Sequence, residues 1–118
     1  MTKAVALAAA TAAVFVAGSA TASTPGRLGV RATEFHLTLS RASVKKGRVL
    51  VQLQNAGEDV HDLRLRRIGG TRTYAFPLTN PGGVVTLSLR LLPGRYRLWC
   101  SVANHAQLGM RAVLRVRR

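Results

Sequence analysis

From about residue 35 onward, apolar and polar residues alternate with a period of two, and no segment holds helical spacing over three turns. Successive side chains of a strand point to opposite faces, so this pattern predicts an all-β chain. Phe35, Leu37 and Leu39 should face a core, with His36, Thr38 and Ser40 outward. Val49, Val51 and Leu53 repeat the pattern, followed by Leu63 and Leu65, and later by Val85, Leu87, Leu89 and Leu91. Tyr96, Leu98 and Cys100 share an inward face opposite Arg95, Arg97 and Trp99, and Ala112, Leu114 and Val116 close the series. Between these runs stand Lys46-Gly47, Asn55-Ala56-Gly57, Gly69-Gly70, Asn80-Pro81-Gly82-Gly83 and Pro93-Gly94, all turn-forming combinations. Many short strands with such punctuation predict a two-sheet sandwich or small barrel. Ser23 to Val30 reads as a loose lead-in, and 71–81 as an irregular loop or short helical turn.

The first residues follow another rule. Lys3, the apolar stretch from Ala4 to about Gly18 and the small residues Ala20, Thr21 and Ala22 have the layout of a secretory signal peptide, with cleavage expected after Ala22. The apolar stretch is shorter than the roughly 20 residues that span a bilayer. Residues 1–22 are therefore expected to be a leader and 23–118 one domain, since that length builds one modest core and not two. The expected destination is the periplasm, the extracellular space or the cell surface.

Charge narrows the partners. The chain carries 18 Lys and Arg against four acids, and losing Lys3 takes the formal charge from +14 to +13. An exported protein rarely meets nucleic acid, and the basic residues are spread along the chain instead of forming one arm, so no nucleic-acid partner is expected. An acidic protein, or an anionic membrane surface, fits the compartment better.

Cys100 is the single cysteine, so no internal disulfide can form, and in an oxidising compartment a free thiol needs burial or a metal. In WCSVANHAQLGM, Cys100, His105 and Met110 follow one another with four residues between each pair, and a loop of that length between strands can bring all three to one point. Thiolate and thioether are soft ligands and imidazole is intermediate, so two His, one Cys and a weak axial Met suit one copper ion cycling between two oxidation states. His61 is the candidate second imidazole: it follows the Asn55-Ala56-Gly57 turn with the inward parity of Leu63 and Leu65. Singly, each residue would read as core or loop. His36, outward on an early strand, reads as a solvated side chain.

Two stretches, GRVLVQLQNAGEDVHDL and LPGRYRLWCSVANHAQLGM, together resemble the cupredoxin family, the type 1 blue-copper proteins. The resemblance spans nearly all of 23–118 and implies a two-sheet Greek-key sandwich. Carried over position by position, it makes His61 and His105 the imidazole ligands, Cys100 the thiolate and Met110 the long axial thioether. Asn104 stands where many relatives have Gly or Pro. Asp62 stands where several have an Asn that braces the two ligand loops, a task a carboxylate can also perform.

Four protein ligands leave no position for a substrate, which points away from an enzyme and toward single-electron transfer. His105, on the loop nearest the surface, is expected to be the more exposed imidazole, rimmed by Val102, Ala106 and Leu108. The resemblance also offers Trp99, next to Cys100 and flanked by Arg95 and Arg97, as a second electron route within a docking face for an acidic redox protein such as a cytochrome or oxidase. The protein is expected to act as a monomer. Two other readings are a periplasmic copper-binding or copper-delivery protein, which would favour exposed Met- or His-rich clusters absent here, and a copper-free cupredoxin-like binding module.

Overall fold

Alternation carries straight into architecture. In a computed structural model, which describes residues 2–14, 18 and 24–118, the strands are β1 (Gly26–Thr33), β2 (His36–Leu39), β3 (Ser43–Lys45), β4 (Gly47–Asn55), β5 (Arg64–Arg67), β6 (Thr73–Ala75), β7 (Val84–Leu91), β8 (Gly94–Trp99) and β9 (Arg111–Arg117). They form a four-stranded sheet in the order β2-β1-β4-β7 and a five-stranded sheet in the order β3-β9-β8-β5-β6. Both sheets are mixed, with β1 parallel to β4 and β3 parallel to β9.

The inward residues of both sheets meet in one core. Leu28, Val30, Val49, Val51, Leu53, Leu89 and Leu91 are buried from one side, and Val44, Leu65, Tyr96, Leu98, Leu114 and Val116 from the other. Each such aliphatic side chain contributes roughly 1.5–3 kcal/mol relative to exposure. A one-residue slip would turn a whole strand's apolar set to water, so the alternation also pins the register. Buried Tyr96 keeps its polar end satisfied by accepting the Leu92 amide at 3.0 Å.

Two expectations change. The supposed lead-in from Ser23 to Val30 is ordered from Gly26 as β1, an inner strand between β2 and β4, with Leu28 and Val30 at 1% exposure. Its short alternation, interrupted by Gly26 and Gly29, becomes a strand because β4 pairs with it over its length. Within 71–81, Thr73–Ala75 pairs with β5 as an edge strand, and the tail of the segment is clamped to His61 through Thr79. No helical turn forms there. The expected cleavage point after Ala22 lies outside the described residues, and among those described no helix is long and apolar enough to cross a membrane.

Candidate metal centre

At one end of the sandwich, three connections converge: the β4–β5 loop, the β8–β9 loop and the β1–β2 turn. The first is organised by Asn55, whose side chain is fully buried at the end of β4. Its Nδ2 donates to the carbonyls of Asp59 and Thr79, both at 2.8 Å, and its Oδ1 accepts the Gly57 amide at 2.9 Å. His61 is then fixed by paired backbone bonds with Thr79: its amide donates at 3.1 Å and its carbonyl accepts at 2.8 Å. His61 thus stands ahead of β5 in an isolated bridge, and it is fully buried as its parity suggested.

The β8–β9 loop closes on itself. The Cys100 amide donates to the Met110 carbonyl at 3.1 Å, and the Met110 amide donates to the His105 carbonyl at 3.1 Å. These bonds draw the three positions together although nine residues separate Cys100 from Met110. Gly109 makes the closing turn with φ at +125°, and a Cβ there would sit 2.9 Å from the Phe35 carbonyl. Only glycine combines that left-handed conformation with so close an approach.

His61, Cys100 and His105 bring one donor atom each to a common point, all within 4.8 Å of one another. Cys100 Sγ lies 3.9 Å from His61 Nδ1 and 3.7 Å from His105 Nδ1. Bonds of roughly 2.0 Å to nitrogen and 2.3 Å to sulfur, as at zinc, would span such separations, so this donor set fits a single metal ion. One thiolate and two imidazoles suit copper. Met110 is fully buried and tied to both partners through its backbone. Burial pushes the Cys100 thiol above its ordinary pKa, against backbone hydrogen bonds that pull it down. A metal bound there would have to displace that proton.

The surroundings add residues that the sequence did not single out. From the turn between β1 and β2, Glu34 Oε1 lies 3.0 Å from His61 Nε2 and accepts the Glu58 and Asp59 amides at 2.8 and 2.7 Å. The Asp59 amide, helped by that of Glu58 and by His61, lowers the Glu34 pKa to about 2 against the opposing effect of burial. The next residue, Phe35, packs on His105 with ring centroids 5.0 Å apart. Asp62 braces the two ligand loops as expected: Oδ1 accepts the Ser101 amide at 2.6 Å and Oδ2 accepts the Ser101 hydroxyl. Nothing in the spacing ties Glu34 or Phe35 to the site: the only signal for Glu34 is that acids are scarce, and alternation marks Phe35 only as an inward residue.

His105 is less open than its loop position suggested, at 7% exposure against none for His61, with Asp59 Oδ2 3.7 Å from its Nε2. Beside it Val102 and Ala106 are half-buried and Leu108 is exposed. On the outer face of the five-stranded sheet, Arg95 and Arg97 are exposed and Trp99 is half-buried, in the arrangement that strand parity predicts. Arg64 stands opposite Trp99 on the neighbouring strand, Arg66 opposite Arg97, and Arg115 opposite Arg95.

No family model and no curated protein matches this sequence. Solved structures do. The chain is similar to an auracyanin from Roseiflexus castenholzii at 17% identity and a TM-score of 0.66, over 81% of this chain and all of that one. It is similar to auracyanin A, a "blue" copper protein from Chloroflexus aurantiacus, at 14% identity and a TM-score of 0.63, over 79% of this chain and 99% of that one. It is also similar to a copper-containing nitrite reductase from Thermus scotoductus, at 15% identity and a TM-score of 0.59, over 78% of this chain but 31% of the reductase. Small copper proteins and one part of a larger enzyme thus share this arrangement of strands, and the two-sheet sandwich of this chain is a cupredoxin fold.

Proposed function

We propose that this protein is an exported carrier of single electrons, with one copper ion held by His61, Cys100, His105 and Met110. The observation that carries this reading is the convergence of two imidazole nitrogens on one thiol, at 3.7 and 3.9 Å, with all three residues buried. A copper ion bound there supplies reversible one-electron exchange. The protein's contribution is to hold its ligands still. Paired bonds fix His61, the Asp62–Ser101 brace ties the two loops, and Met110 is buried with its backbone joined to Cys100 and His105. A framework that need not rearrange between oxidation states suits electron transfer, and four ligands from one chain leave no place for a substrate, which speaks against an enzyme. Burial of the whole set favours a resident ion over one passed to another protein.

The outer face of the five-stranded sheet is the docking surface for an acidic redox partner. Arg95 directly opposes Arg115, and Arg97 directly opposes Arg66, without an acid on the neighbouring positions. Like charges in directly opposed positions weaken a sheet, so an anionic partner gives the arrangement a use that solubility does not require. Trp99 lies among these arginines and is covalently next to Cys100, giving a short path from face to site. The test of the site is the visible spectrum of protein from Ser23 onward loaded with Cu(II). An intense blue band that disappears in Cys100→Ser is expected; the same band in that variant would remove Cys100 from the site.

A further inference from the structure

The turn between β1 and β2 belongs to the four-stranded sheet, yet it touches both imidazoles. Glu34 meets His61 at 3.0 Å and Phe35 packs on His105. Resting on the copper reading above, we propose that Glu34 is a positioning residue for the site: its carboxylate accepts a hydrogen bond from the protonated Nε2 of His61, leaving Nδ1 free to face the metal, and its charge favours Cu(II) over Cu(I).

Three observations carry this. His61 is fully buried and its two ring nitrogens face different partners, Nδ1 toward Cys100 Sγ and Nε2 toward Glu34. A carboxylate accepts only from a protonated nitrogen, so the pairing selects one tautomer and fixes the ring with its unprotonated nitrogen toward Cys100. Next, the carboxylate is itself held: the Glu58 and Asp59 amides converge on the oxygen that meets His61. Gly57 keeps the approach open, since a Cβ at that position would lie 2.5 Å from Glu34 Oε1. Finally, in a chain of net charge +14 all four acids fall between residues 34 and 62, and Glu34, Asp59 and Asp62 each bond or approach a group of the site. A strongly basic protein disfavours a further divalent cation, and a carboxylate on the ligand offsets that field locally.

The experiment compares wild type with Glu34→Gln and Glu34→Ala. Glutamine keeps an oxygen for the two amides and removes the charge; alanine removes both. Competition titrations of the full chain with Cu(II) and Cu(I), together with the reduction potential, should show Glu34→Gln losing roughly tenfold or more in Cu(II) affinity. Its Cu(I) affinity should change less, and a selective tenfold loss raises the potential by about 59 mV. In the metal-free protein, nitrogen-resolved NMR should find the His61 proton on Nε2 in wild type and distributed between both nitrogens in Glu34→Ala. Unchanged affinities and potential in Glu34→Gln would overturn the charge role, as would equal losses for both oxidation states. A proton on Nδ1 in the wild type would overturn the positioning role. Failure of the wild type to bind copper would instead overturn the copper reading, with the metal-free NMR still deciding what Glu34 does to His61.

Discussion

The loop end of the sandwich and the outer face of its five-stranded sheet are built from the same strands and treat charge in opposite ways. At the loop end the chain spends all four of its acids within residues 34–62, and Glu34 and Asp62 have defined hydrogen-bond partners. On the sheet face, arginines oppose arginines across β5, β8 and β9. β8 serves both regions: Tyr96 and Leu98 bury in the core, Arg95, Arg97 and Trp99 face outward, and the residue after the strand is Cys100. The difference teaches that charged groups at the loop end find partners within the fold, whereas those on the face stand against their own kind, the feature on which the proposed docking role rests. Substitutions in the first should therefore alter stability, and substitutions in the second should alter encounter.

The largest effect is expected at Gly109. Alanine there must hold a left-handed backbone and push its Cβ against the Phe35 carbonyl, destabilising the metal-free protein by about 3 kcal/mol. Urea unfolding measures this, and a loss well under 1 kcal/mol would show that the loop reshapes freely. Asp62→Ala comes next. It strips the acceptors from the Ser101 amide and hydroxyl in a partly buried place and should cost about 2 kcal/mol by the same measurement. Asp62→Asn should restore part of that, because an amide oxygen still accepts.

The smallest effect on stability is expected on the face, where its sign is the informative part. Reversing Arg95 and Arg97 to Glu turns two opposed like-charge pairs into opposite-charge pairs, which should leave the fold unchanged or stabilise it by roughly 0.5 kcal/mol. The blue band should be untouched. Electron exchange with an acidic redox protein should slow in the variant and lose its salt dependence, because surface charges are screened beyond about 8 Å at physiological ionic strength. An exchange rate indifferent to both salt and the reversal would move docking to the apolar rim of Val102, Ala106 and Leu108 around His105. Destabilisation of several kcal/mol by the reversal would erase the contrast between the two regions.

Much of the fold was legible because period-two alternation is local. Val49 to Leu53, Val85 to Leu91 and Ala112 to Val116 need no partner to declare which side is inward. Cys100 and His105 were legible for the same reason, as chemically distinctive residues at short fixed spacing in one loop, and the structure brings their donor atoms together with that of His61. β1 and β6 were not, because a strand of few apolar residues and a three-residue edge strand exist only when a neighbour supplies the hydrogen bonds.

By itself, then, the sequence pattern determined an all-β chain, the inward faces of most strands, and which residue types could bind a soft metal, while a sandwich and a small barrel were both open to it. Tertiary structure decided that the β1–β2 turn reaches across the sandwich to both histidines, that Thr79 clamps His61, and that the arginines stand opposed in pairs. Periodicity reports a residue's side of its own strand. It carries no information about which distant strand lies beside it, and Glu34 meets His61 across 27 positions of sequence through the packing of two sheets.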